Sequence, residues 1–259
     1  MLLCMNIGNT NISIGVFAQD ELRSKWRLAT DYESMPDEYA LKLVGLLQLD
    51  GHTKSDIDRV VISSVVPPLT ERWVEVSERY LDQKPFLIDY ESVKEVKILY
   101  HTPEAVGTDR LANAVAAFHH YGGPACIVDF GTATTFDAIN QDGDYLGGAI
   151  APGMRIASEA LFTRTAKLPK TEIVRPPTAI GRNTTHAIQA GIFFGYVGLV
   201  EGIVTRFKEE LGPKTHVIGT GGGVDLIAGG TKIIEVVAPW LTLEGIRLIY
   251  EQNRIRNKK

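Results

Sequence analysis

Three short apolar or alternating runs open the chain, Leu2–Asn6, Ile12–Phe17 and Leu22–Ala29. Turn residues separate them, and each predicts a β-strand. Helical spacing follows: Tyr39, Leu41, Leu43, Val44, Leu46 and Leu47 predict a helix over 37–49, with Pro36 near its start. A β-branched strand over 59–63, a proline-led helix over 67–80 and a strand over 85–88 complete a β-β-β-α-β-α-β run. The theme then recurs. A helix over 108–119 precedes strands over 124–129, 134–140 and 145–151. Pro152-Gly153 opens a helix to 162, and the stretch 163–182 is irregular and holds several prolines. A long helix (184–207), a strand (215–218), a short helix (224–228), a strand (232–235) and a last helix (241–252) close the series. Three strands leading a mixed run, twice over, predict an α/β fold with a duplicated domain. The boundary is expected near 95–120 and is drawn as 1–106 and 107–259.

The repeat is also chemical. Asn6-Ile7-Gly8-Asn9-Thr10-Asn11 and Asp129-Phe130-Gly131-Thr132-Ala133-Thr134-Thr135 each follow the first strand of their half, at an offset of 129 − 6 = 123 residues. Each has an amide or acid at a strand end, a glycine two residues on, and a tight turn of small polar residues. Glycine lets backbone approach a ligand, and successive N–H groups cradle phosphate without a lysine. A polar strand-end residue can hold a cation. One such turn alone is an ordinary hairpin; two in equivalent places point to phosphate binding. A third cluster, Gly219-Thr220-Gly221-Gly222-Gly223 before Val224, suits a nucleotide near a helix N-terminus. It is not a dinucleotide fingerprint, and neither a P-loop nor a G-x-S-x-G elbow occurs anywhere. Gly107-Thr108-Asp109-Arg110 precedes a helical run. Asp109 suits a first helical turn as a cap, but Arg110 beside it has no use there. The pair fits a base that takes a hydroxyl proton and a cation that holds an anionic substrate.

Composition narrows the partners. The 259 residues carry 27 Lys and Arg against 31 Asp and Glu, a formal charge of −4, which argues against nucleic acid. Only the tail 253–259 is locally basic, as a solvated terminus would be. Cys4 and Cys126 lie in apolar strands and read as buried thiols, not a disulfide or zinc site. The first residues do not resemble a signal peptide. The most apolar window, 187–204, holds Gln189 and Glu201 and is broken by Gly191, Gly195, Gly198 and Gly202, so it is a poor membrane span. Its glycine face suits close packing, against another helix of the same chain, as expected, or against a partner. A cytoplasmic protein is the expectation.

Together the G-T-D-R and D-F-G-T-A-T-T motifs, the G-N-T turn and Gly147-Gly148-Ala149-Ile150-Ala151-Pro152-Gly153 resemble those of type III pantothenate kinases, over essentially the whole chain. That family belongs with sugar and acetate kinases, actin and the heat-shock ATPases. The resemblance implies two duplicated RNase H-like (actin-like ATPase) domains with a nucleotide cleft between them. It implies ATP-dependent phosphorylation of pantothenate to 4'-phosphopantothenate, the first step of coenzyme A biosynthesis. Asn6, Ile7, Gly8, Asn9, Thr10, Asn11, Ile12 and Ser13 would then form the first phosphate loop, and Thr132 would touch ATP. Asp109 would be the general base, with Tyr100, Gly107, Thr108, Arg110 and Thr184 about pantothenate. Asp129 would hold a monovalent cation, K+ or NH4+, and Mg2+ would accompany ATP. A homodimer is implied, its pantothenate pocket closed by the partner subunit.

The chain departs from the family at one place. Asn6 stands where the family has an aspartate that helps hold magnesium. An amide offers a carbonyl oxygen but no charge. The alternative function is therefore a non-catalytic or weakly catalytic paralogue acting as a regulator.

Overall fold

The alternating runs form strands because one face of each is buried. A computed structural model describes residues 1–256. Strands β1 (Leu2–Ile7), β2 (Asn11–Ala18) and β3 (Glu21–Ala29) form an antiparallel meander, and β4 (Arg59–Ser64) and β5 (Phe86–Leu87) add in parallel beyond β1, giving the order β3-β2-β1-β4-β5. Helix α1 (Pro36–Leu49) starts with proline in its first turn, and the Glu38 carboxylate accepts the Met35 N–H at 2.7 Å. It lies with α2 (Pro67–Leu81) on the β1 face that carries Leu3, Met5 and Ile7, where Tyr39, Leu43, Leu69 and Trp73 are fully buried.

The second sheet repeats this plan. Strands β6 (Ala125–Phe130), β7 (Ala133–Ile139) and β8 (Tyr145–Pro152) are antiparallel, and β9 (His216–Gly221) and β10 (Val236–Val237) add in parallel beyond β6. The order β10-β9-β6-β7-β8 is that of the first sheet read from the other edge. Helix α3 (Thr108–Tyr121) precedes this sheet in the chain; α4 (Met154–Thr163) and α5 (Thr184–Leu211) lie between β8 and β9, α6 (Val224–Ala228) lies between β9 and β10, and α7 (Leu241–Arg256) follows. Asn183 caps α5, its side chain accepting the His186 N–H at 2.8 Å.

Contacts divide the chain into two compact units. The first holds Met1–Lys97, His101–Ala116 and the chain from Thr242 onward; the second holds Ile98–Tyr100 and Ala117–Leu241. The last helix thus returns to the first unit, where Gly245 of α7 meets Ala112 of α3 so closely that a Cβ would overlap the Ala112 carbonyl. The units are not two contiguous stretches of sequence.

Two expectations change. The strand expected at 232–235 forms at Val236–Val237, because Glu235 N–H and Ala238 N–H donate to the carbonyls of Val217 and Gly219 at 2.9 and 2.8 Å and so fix the register on β9. The glycine face of α5 does not pack within the chain. Among the described residues, a Cβ at Gly191, Gly195 or Gly198 would meet nothing within 4 Å. Helix α5 is long and apolar enough to cross a membrane, but Ile188, Ile192, Phe193, Val200 and Val204 lie in the core cluster of the second unit. The basic tail lies partly outside the described residues, which end before 257. Both cysteines are buried and free, and burial pushes the Cys126 thiol up to about 12.

Candidate functional site

In the first unit, the turn between β1 and β2 is closed by Gly8 N–H donating to Asn11 carbonyl at 3.0 Å. Asn6 pairs with Ser13 on β2 and with Ser63 on β4. Its Oδ1 is buried and has no hydrogen-bond partner. Ser63, itself fully buried, has its Oγ 2.8 Å from Thr108 Oγ1. Val65 N–H donates to the Ile7 carbonyl at 3.1 Å. Thr108 of the G-T-D-R motif is therefore tied to β4 beside Asn6, and β4 in turn to β1.

Asp109 sits in the first turn of α3, and its Oδ1 accepts the Arg110 N–H at 2.8 Å. Its carboxylate lies over Gly107, where a Cβ would come within 2.6 Å of Oδ1. Only a glycine leaves that room. Desolvation raises the Asp109 pKa above the ordinary carboxylate value, against the opposing pull of the Arg110 N–H and guanidinium. A half-buried carboxylate raised in this way, with a cation as its chain neighbour, suits a general base.

The second unit carries the equivalent hairpin. Gly131 N–H donates to the Ala133 carbonyl at 3.0 Å, and Asp129 pairs with Thr135 on β7 and Thr220 on β9, as Asn6 pairs with Ser13 and Ser63. The Asp129 carboxylate lies against Gly221, which has φ +88°, and a Cβ there would overlap Oδ1. Gly153 backs the turn; its Cβ would come within 2.7 Å of the Gly131 carbonyl and closer still to that of Thr132. The hydroxyls of Thr134 and Thr220 are buried without a hydrogen-bond partner. Buried acceptors are normally paired. Oxygens at Asn6, Thr134 and Thr220 thus stand beside the two hairpins with their hydrogen-bonding capacity unused. Among the described residues, no three His, Cys, Asp or Glu side chains group to hold a metal. The Asn6 oxygen fits the lesser share that protein takes when phosphates and water supply the rest of a Mg2+ shell.

Tyr100 is half exposed on the second unit, 6.5 Å from the Tyr145 ring between centroids. Gly147 leaves room for it, since a Cβ there would lie 3.3 Å from the Tyr100 ring. Thr184 stands on the exposed first turn of α5. The glycines 221–223 lead into α6, which has only five residues, so a helix dipole adds little there. A cavity of about 750 Å³ lined by Met1, Phe17, Arg59 and Arg247 lies at the end of the β1 and β2 strands opposite the first hairpin turn. Sequence reading missed Ser63, Thr30 and Tyr32. The last two touch the first hairpin from the segment after β3, and no motif marks them.

The family model for type III pantothenate kinase matches residues 2–206. The chain belongs to the type III pantothenate kinase family. The type III pantothenate kinase of Moorella thermoacetica is 49% identical over 253 residues, 98% of this chain and all of the relative. That of Brevibacillus brevis is 48% identical over 254 residues, again 98% of this chain and all of the relative. Among solved structures, the activator of the 2-hydroxyisocaproyl-CoA dehydratase from Clostridium difficile, with bound ADPNP, superposes with a TM-score of 0.57 at 12% identity, covering 100% of this chain and 97% of that one. The ethanolamine utilization protein EutJ from Carboxydothermus hydrogenoformans gives 0.55 at 15% identity, covering 95% and 89%. These two establish the fold class, the duplicated actin-like ATPase architecture, and the kinases establish the family. The regulator alternative finds no support in relatives that share the whole chain and are named as kinases.

Proposed function

We propose that this chain phosphorylates pantothenate with ATP, giving 4'-phosphopantothenate for coenzyme A synthesis. The observation that carries the reading is Thr108 of the G-T-D-R motif hydrogen-bonded to Ser63 on β4, the residue paired with Asn6, in a chain whose residues 2–206 match this family. Asp109 accepts the proton of the primary hydroxyl; the hydroxyl oxygen bonds to the γ-phosphorus, and the bond from phosphorus to the ADP oxygen breaks. Arg110, Thr108 and Gly107 hold the pantothenate end, with Tyr100 and Thr184 lining it. Residues 6–13 and Thr132 hold the phosphates through backbone N–H groups. Mg2+ neutralises phosphate charge when bound, and Asn6 Oδ1 is the protein oxygen available to it or to its water. Asp129 holds a K+ or NH4+ ion, which the partnerless Thr134 and Thr220 hydroxyls favour.

We place the protein in the cytoplasm, without nucleic-acid or membrane partners, on the strength of the −4 charge and the core position of α5. We propose a homodimer. The bare face of α5, with Phe194 40% exposed beside it, is the candidate contact. An ADP-release assay is expected to give turnover that needs both pantothenate and a monovalent cation, and light scattering of the same sample is expected to give twice 28.4 kDa. ADP release without pantothenate dependence overturns the substrate assignment, and a monomer mass overturns the dimer. Asn6→Asp adds a charged metal ligand and is expected to lower the half-saturating Mg2+ concentration on the order of tenfold. An unchanged Mg2+ titration removes position 6 from the metal site.

A further inference from the structure

The segment after β3 crosses the first hairpin and bonds to three successive residues of it. Thr30 N–H donates to the Thr10 carbonyl at 2.9 Å, and the Thr30 hydroxyl donates to the Gly8 carbonyl at 2.6 Å. The Tyr32 hydroxyl lies 3.0 Å from Asn9 Oδ1 and 3.5 Å from the Asn9 carbonyl oxygen. We propose that Tyr32 is a positioning residue for the phosphate hairpin: its hydroxyl holds the Asn9 carboxamide by the oxygen and so leaves the amide nitrogen to donate to the ATP phosphates. The inference rests on reading residues 6–13 as a phosphate loop.

A carboxamide has one acceptor end and one donor end, and nothing in its shape decides which faces a ligand. Turned one way it offers an anion two N–H donors; turned the other it sets a carbonyl oxygen against phosphate oxygens, which repel it. A hydroxyl proton donated to Oδ1 satisfies the acceptor end and fixes the choice. Asn9 is exposed and has no core packing to orient it.

Tyr32 can impose this because its own backbone is held. Arg72 donates to the carbonyls of Tyr32 and Ser34, both at 2.7 Å. The Tyr39 hydroxyl donates to the Asp31 carbonyl at 2.6 Å and accepts the Asp31 N–H at 3.1 Å. The Ser34 hydroxyl donates to Asp31 Oδ2 at 2.8 Å. The ring itself is 46% exposed, so losing its hydroxyl opens no cavity in the core.

Tyr32→Phe removes the hydroxyl alone. It is expected to raise KM for ATP about three- to tenfold, the worth of one hydrogen bond, with KM for pantothenate and the melting temperature unchanged. In an Asn9→Ala background the same change is expected to have no further effect, because the side chain it acts through is gone. Equal losses with and without Asn9, or an unchanged KM for ATP in the single variant, overturn the proposal. Calorimetric titration of the same four proteins with a non-hydrolysable ATP analogue and Mg2+ makes the comparison without turnover. An inactive wild type would thus sink the kinase reading while the binding data still decide Tyr32.

Discussion

Asp109→Asn is expected to slow turnover about 10²–10⁴-fold, the usual share of a general base, while ATP binding is little changed and the protein melts at a higher temperature at neutral pH. The loss of rate follows from the proposed role of Asp109 as the acceptor of the hydroxyl proton. Asparagine keeps the acceptor oxygen that Arg110 N–H uses, so the first turn of α3 has no reason to rearrange. The gain in stability follows from burial. Desolvation raises the Asp109 pKa in the folded chain, so the native state holds that proton more tightly than the unfolded chain does. The stability from the bound proton is present below the ordinary carboxylate pKa and is lost as pH rises through the raised folded value. At neutral pH the wild type carries a desolvated charge and the variant does not. Thermal melts at neutral and acid pH check the sign: the gap between variant and wild type should narrow as pH falls. The acid limb of the wild-type rate profile should correspondingly lie above the usual carboxylate range. Near-wild-type turnover in steady state refutes the role of Asp109.

Gly153→Ala is expected to raise KM for ATP by at least tenfold and to destabilise the second unit by about 1–3 kcal/mol, as overpacking does. Gly153 has φ −71° and ψ 156°, a conformation any residue adopts. Backbone strain is therefore not the cause. The added methyl would overlap the Thr132 carbonyl and approach that of Gly131, both main-chain atoms that cannot swing aside as a side-chain end does. The second hairpin must shift, and its N–H groups shift with it. Gly45→Ala in α1 is the control, because a Cβ there meets nothing within 4 Å; a helix-interior alanine is expected to stabilise slightly. Calorimetric ATP titration and thermal melts of both variants read the difference. Wild-type ATP affinity in Gly153→Ala would show that the turn it backs does not hold the nucleotide.

The two hairpins were legible in sequence because their chemistry is local. A glycine, small polar residues and flanking alternation suffice to write a turn between strands, and Gly8 and Gly131 make the same backbone bond three or two residues on. The start of α5 was legible for the same reason, in Asn183 as its cap. What depends on distant partners was not. The pairing of Ser63 with Thr108 spans 45 residues, and Tyr32 reaches Asn9 across 23. The register of β10 is set by carbonyls of β9, so its strand forms two residues beyond the last isoleucine of the apolar run that predicted it. The return of α7 to the first unit left no mark in its periodicity. Four glycines on one face of α5 told of a surface suited to close packing, but not what meets it.

That bare ridge has a thermodynamic consequence. Four glycines inside a 28-residue helix forgo roughly 3–4 kcal/mol of helix propensity relative to alanine. In a lone chain only the burial of the opposite face in the core offsets the loss. Where the ridge seats a second copy, the deficit is made good by association, and the amount of protein in solution becomes part of its fold stability. Dilution alone would then lower the melting temperature, and a dilute cell would need more of this enzyme than its catalytic rate suggests.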